Sequence, residues 1–206
     1  MRHPVQMLAV ALLLFAVVRT STAYGAEITA AGRQLTADLD AMDVEHLWLP
    51  KTRLKKWRTG EPSDEPVTSS GHTHCSAFVA AFCERHEIPI LLPPPQHFLA
   101  NHQRDWLLGE GRAAGWREVG AQDAQQLANR GVVVVASFKN DDENFHGGHG
   151  HIALIRPSTK SAAQVAQEGP QITQAGGHNF NSAPLNKGFP EKVITRHQVL
   201  FFAYKP

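Results

Sequence analysis

The apolar and polar positions of this chain change period once, near its middle. Toward the C-terminus the pattern is that of strands. Val132-Val133-Val134-Val135-Ala136-Ser137-Phe138 is a continuous β-branched run, as expected of a strand buried on both faces. His151 to Arg156, Gln171 to Gly176 and Val199 to Tyr204 predict three more strands. Toward the N-terminus the period is helical. The spacing predicts a helix from about His74 to His86, with Cys75, Phe78, Val79, Phe82 and Cys83 on one face and Glu84, Arg85 and His86 closing it before Ile88-Pro89. Looser patterns predict helices over Arg33 to Met42, over Phe98 to Leu108 (ended by Gly109 and Gly111), and over Asp123 to Asn129 (stopped by Gly131). Lys51 to Trp57 reads as a short basic segment, and Thr59 to Gly71, Lys139 to Gly150 and Pro157 to Gly169 read as connections. Helices first and a meandering sheet afterwards predict an α+β domain, with N-terminal helices packed on an antiparallel β-sheet. No repeat and no second domain is legible.

The first residues follow a different logic. Met7 to Val18 is almost unbroken apolar sequence, preceded by Arg2 and His3 and followed by Ser21 and Ala23 at the spacing signal peptidase cuts. This predicts a cleaved signal peptide over residues 1–23 and a single domain over 24–206, placing the mature protein in the periplasm or outside the cell. The run is too short for a membrane span, which takes about 20 apolar residues, and no other segment comes closer. The chain holds 20 Lys plus Arg against 19 Asp plus Glu. Removal of Arg2 and Arg19 leaves a slight acidic excess, which argues against a nucleic-acid partner.

Cys75 and Cys83 lie eight residues apart on one predicted helix, about 12 Å along its axis. A disulfide needs Cα atoms within roughly 7 Å, so the pair cannot bridge while the helix is intact. Cys83 reads as a core thiol. Cys75 sits at the helix start, where orphan N–H groups and the helix dipole favour a thiolate. An unpaired, accessible thiol in an oxidising compartment points to a chemical use. His151 opens a strand straight after Gly147-Gly148-His149-Gly150 and is the expected general base, with His149 its nearest rival. Gln174, in the following strand, is placed to accept the Nδ1–H of His151 and fix its tautomer; His178 and Asn179 are the alternatives. First-turn N–H groups, including that of Cys75, would form an oxyanion hole.

Cys75-Ser76-Ala77-Phe78-Val79 resembles the Cys-Ser-Gly-Phe-Val helix start of the NlpC-type cell-wall hydrolases. Gly150-His151-Ile152-Ala153-Leu154-Ile155 resembles their Gly-His-Val-Gly-Ile strand, and Ile172-Thr173-Gln174-Ala175 is similar to the strand that carries their third polar residue. The related CHAP amidases share the helix, the histidine strand and the chain order. The resemblance spans roughly residues 70 to 180. It implies a papain-like fold and a cysteine peptidase or amidase with Cys75, His151 and Gln174 as catalytic residues. It further implies peptidoglycan peptides or similar peptides as substrate, and no cofactor. The chain departs from the pattern in three places. Ala77 replaces the usual glycine, His74 stands where Asp or Asn is common, and the insertion between His151 and Gln174 is long.

Two other classes of function compete. His72 and His74 precede Cys75, and His146, His149 and His151 crowd one segment. Imidazoles with a thiolate suit zinc or copper, so an exported metal-binding protein is one alternative. The other is a catalytically silent domain that recognises a wall peptide or a partner protein. Trp48, Trp57, Trp106 and Trp116 read as core or groove lining. The basic run from Lys51 to Arg58 reads as a solvated face able to meet an acidic wall polymer.

Overall fold

A computed structural model describes residues 27–67, 73–93 and 99–206. The expected signal segment, His72 and Phe98 lie outside the described residues. The chain opens with α1 (Ala30–Asp40), whose N-cap Thr29 accepts the Gly32 N–H. A hairpin of β1 (Thr52–Lys56) and β2 (Glu61–Pro66) follows. Next come α2 (Cys75–Arg85), α3 (Leu99–Leu108), α4 (Glu110–Ala114), β3 (Trp116–Val119) and α5 (Ala121–Asn129). The remainder is β4 (Val134–Phe138), β5 (His151–Ile155), α6 (Ala162–Glu168), β6 (Gln171–Gln174), β7 (Phe180–Pro184), α7 (Leu185–Gly188), α8 (Glu191–Thr195) and β8 (Val199–Tyr204).

The main sheet has the order β3-β8-β4-β5-β6-β7, and every neighbouring pair runs antiparallel. The architecture is α+β, with helices packed on an antiparallel sheet. Strand direction gathers particular residues at one end of that sheet. β4 and β6 finish there with Phe138 and Gln174, while β5 and β8 begin there with His151 and Val199.

The helix α2 departs from the expected one-sided amphipathic helix. Every residue from Ala77 to Cys83 is buried. Ala77, Ala80 and Ala81 supply a second, small-residue face, which lets neighbouring elements close over the side the large residues do not cover. The core therefore surrounds α2, with Phe78 and Phe82 fully enclosed and the Trp48 ring edge-on to Phe78 at 5.4 Å.

Other differences have local causes. The segment expected to be a loop after Thr59 pairs with the basic segment as the β1–β2 hairpin. It has no apolar run because most of its strand residues face water. Exposed pairs Arg53–Glu65 and Lys55–Glu61, each 3.2 Å, lie across it, and such pairs add little stability. Burial of Trp48 anchors it, with the indole N–H donating to the Trp57 carbonyl at 3.0 Å. The connection from Pro157 contains α6, closed by a capping box between Ser161 and Gln164. Gly111 lies inside α4 rather than ending α3. β3 and β7 are short strands whose partners define them.

Candidate active site

Cys75 is the first residue of α2. The helix start is held on two sides. The His74 ring donates from Nε2 to the Thr52 carbonyl of β1 at 2.8 Å. The Gln103 amide on α3 donates to the carbonyls of Ser76 (3.1 Å) and Leu91 (3.0 Å). The backbone N–H groups of Ser76 and Ile152 point at the Cys75 sulfur. Contrary to the expectation of an accessible thiol, Cys75 is only 5 % exposed.

His151 is brought to that sulfur by the start of β5. Its Cα partner across the sheet is Phe138. Gly150 makes this entry possible: a Cβ there would overlap Asn101 Oδ1 and the Phe138 carbonyl. Asn101 in turn clamps the preceding loop, donating to the carbonyls of Asn140 (2.9 Å) and Gly148 (3.0 Å) and accepting the Asn140 N–H (3.0 Å). The Gly-His dipeptide thus has a steric reason, since the backbone before the histidine passes where no side chain fits.

Gln174 ends β6 beside it. The His151 Nε2–H donates to Gln174 Oε1 at 2.8 Å, and Gln174 Nε2 donates to the His178 carbonyl at 3.0 Å. A carbonyl only accepts, so the second bond fixes which end of the amide faces the ring. This corrects the expected Nδ1–H contact. The ring is turned so that Nε2 meets the amide, leaving Nδ1 for Cys75, with which His151 shares a side-chain hydrogen bond. Cys75, His151 and Gln174 therefore form one hydrogen-bonded line.

The electrostatics follow from this line. Burial pushes the Cys75 thiol up. The His151 charge, the His151 hydrogen bond and the N–H groups of Ile152 and Ser76 outweigh it, and the thiol lies below its ordinary value of 9.0. For His151, burial pulls the imidazole down, but the Cys75 charge and the hydrogen bonds to Cys75 and Gln174 raise it above 6.5. Each group stabilises the charged form of the other, which favours a thiolate–imidazolium pair.

No family model matches this chain, and no curated protein matches its sequence.

The rival residues are placed elsewhere. His149 is exposed, in a turn where Gly147 and Gly148 adopt positive φ, so strand alternation does not carry it to the side of His151. His178 offers Gln174 its backbone carbonyl, and its exposed ring stacks near Phe180. Asn179 holds the chain together, donating to the carbonyls of Val44, Leu47 and Trp48 and accepting the Gly176 N–H. Among the described residues, no three His, Cys, Asp or Glu side chains gather as a ligand set for a metal ion. Trp48 and Trp116 are core residues, while Trp57 and Trp106 are partly buried. Arg53, Lys55 and Arg58 of the basic run each face a carboxylate. No helix among the described residues is long and apolar enough to cross a membrane.

The structure adds residues that spacing did not indicate. Phe189 is buried, with its ring 4.8 Å from that of His151. Gly188, the last residue of α7, lets the backbone touch the Gln174 amide, and a Cβ there would overlap Gln174 Oε1. Both come from a segment with no periodic signal, so only the return of the chain past β7 reveals them.

Proposed function

We propose that this protein is an exported, papain-like cysteine hydrolase, an amidase or endopeptidase that cleaves amide bonds in peptidoglycan peptides. One observation carries the reading: the Cys75 thiol, at a helix start and lowered below its ordinary range, hydrogen-bonded to an imidazole that Gln174 orients. The order of elements supports it, with the cysteine helix first and the histidine and glutamine on successive antiparallel strands. The likeness of residues 70 to 180 to NlpC-type and CHAP sequences supports the choice of substrate.

The Cys75 thiolate attacks the carbonyl carbon, and the carbonyl π pair moves to oxygen. N–H groups of the first turn of α2, which have no acceptor within the helix, are the donors available to stabilise that oxyanion. His151 gives its proton to the departing amine as the C–N bond breaks, leaving a thioester on Cys75. Neutral His151 then takes a proton from water, the hydroxide oxygen adds to the thioester, and the acid leaves as the thiolate re-forms. Gln174 keeps the ring in place through both steps. The mechanism needs no cofactor.

Digestion of purified sacculi tests the reading. The protein releases muropeptide fragments, and Cys75→Ala, folded by circular dichroism, releases none. Release that survives in Cys75→Ala removes the mechanism. Turnover should fall on the acid side as the thiolate protonates, below the ordinary thiol range. It should fall on the alkaline side as His151 loses its proton, above the ordinary imidazole range.

A further inference from the structure

The helix α3 buries polar side chains where a packing helix ordinarily carries apolar ones. Gln103 is fully buried and its Oε1 has no hydrogen-bond partner, while Arg104 is 7 % exposed with an orphan Nε. Arg104 also forms no ion pair among the described residues. Unpaired buried polar atoms and a buried cation without a counter-charge lower stability, and apolar side chains of similar volume would avoid that cost. Packing therefore does not account for these residues. Their hydrogen bonds do.

Each grips backbone beside the site. The Gln103 amide donates to the carbonyl of Ser76, the residue after the nucleophile, at 3.1 Å, and ties Leu91 to the same point at 3.0 Å. Arg104 donates to the carbonyl of Ser137, the cross-strand partner of Ile152, whose own N–H points at the Cys75 sulfur. Asn101 lies three residues before Arg104 on the same side of the helix. It donates to the carbonyls of Asn140 and Gly148 and lies against the Gly150 backbone. The side chain of Asn140 continues the clamp by donating to the His149 carbonyl at 3.2 Å. A helix is stiff over two residues, so the separation of Asn101 and Gln103 is fixed. With it is fixed the offset between the start of α2 and the chain that delivers His151. The Cys75–His151 hydrogen bond spans that same offset.

We propose that Asn101 and Gln103 are positioning residues that set the Cys75–His151 contact. Gln103 holds the start of α2, and Asn101 holds the loop and strand entry that present the imidazole. Neither is hydrogen-bonded to the sulfur or the ring, so both act through backbone. The inference rests on the reading of Cys75 and His151 as a reacting pair, and it adds what keeps the pair at its distance. A displacement of about 1 Å is enough to cost such a pair on the order of a hundredfold in rate.

Iodoacetamide labelling of Cys75 near pH 7 tests it, in protein that also carries Cys83→Ala so that one thiol is read. Asn101→Ala and Gln103→Met should each slow labelling roughly tenfold to a hundredfold. Each should also move the inflection of rate against pH toward that of His151→Ala, and keep a cooperative urea transition. The double variant should fall well short of the product of the two effects, because one contact cannot be lost twice. In a His151→Ala background, compared in alkaline buffer where labelling stays measurable, neither substitution should slow the reaction further. Asn101→Asp and Gln103→Leu replace a variant that does not fold. Failure of both substitutions at either position to fold would overturn the positioning role. So would labelling at or above the parent rate, or slowing that persists without His151. Slow labelling of the parent protein would remove the reacting pair and the positioning role with it. Rapid parent labelling that the variants leave unchanged removes only the part assigned to α3.

Discussion

Cys75 and Cys83 stand at opposite ends of α2, both unbridged and both enclosed by the core. At Cys83 burial acts alone and drives the thiol far above its ordinary range. At Cys75 burial acts in the same direction, yet the thiol is lowered. The difference is what each sulfur faces. Cys83 looks into apolar side chains, while Cys75 looks out of the helix start toward an imidazole and two backbone N–H groups. Burial does not by itself make a cysteine inert. In a poorly polarisable setting it magnifies whatever charge is opposite, and of the two sulfurs only that of Cys75 has a charge opposite it.

That contrast can be broken by substitution. The largest effect is expected at the sulfur itself: Cys75→Ala should abolish hydrolysis and iodoacetamide incorporation at neutral pH. Cys83→Ala should retain both and lose on the order of 1 kcal/mol of stability in urea unfolding. Equal labelling of the two cysteines in the native protein would erase the distinction. His151→Ala comes next. Without the imidazolium, burial is the leading influence on Cys75, so its alkylation rate near pH 7 should fall about 10²- to 10⁴-fold. The inflection of the rate–pH curve should move to the alkaline side of the ordinary thiol value, as stopped-flow labelling across pH would read.

Gln174→Ala and Gly188→Ala sharpen the comparison further. The first removes the acceptor for Nε2–H, and the second pushes a methyl group into the space of Gln174 Oε1. Both should lower turnover by up to about a hundredfold through misplacement of the ring, with a smaller change in the labelling of Cys75. Ser161→Ala is the smallest change. It removes the capping box of α6 and should cost about 1 kcal/mol, with turnover unaltered, because α6 lies away from the sheet end that carries the site.

Some elements were legible because local chemistry and tertiary environment agree. The residues from Cys75 to Arg85 combine a helical period with a charged close. Val134 to Phe138 combines β-branched residues with burial on both faces, and Val199 to Tyr204 is apolar and aromatic throughout. The β1–β2 hairpin was not legible, since its strands carry charges on a solvated surface and their anchor, Trp48, precedes them. The helix α6 was legible in principle from Ser161 and Gln164, whose spacing is that of a capping box. The strands β3 and β7 are too short to show a period and exist because β8 and β6 offer them an edge.

That Cys75, His151 and Gln174 would lie together at the candidate site could be read from the chain, because a helix start, a Gly-His strand entry and a following strand each leave a local trace. Which nitrogen meets the amide, how deeply the sulfur is enclosed, and the parts played by Asn101, Gly188 and Phe189 could not. Local sequence determines which backbone conformations are cheap, and so where the helix begins and where a strand can run. The meeting of residues 75, 151, 174 and 188 depends instead on antiparallel register and on how closely backbones can approach. Those quantities exist only once the sheet has assembled around α2.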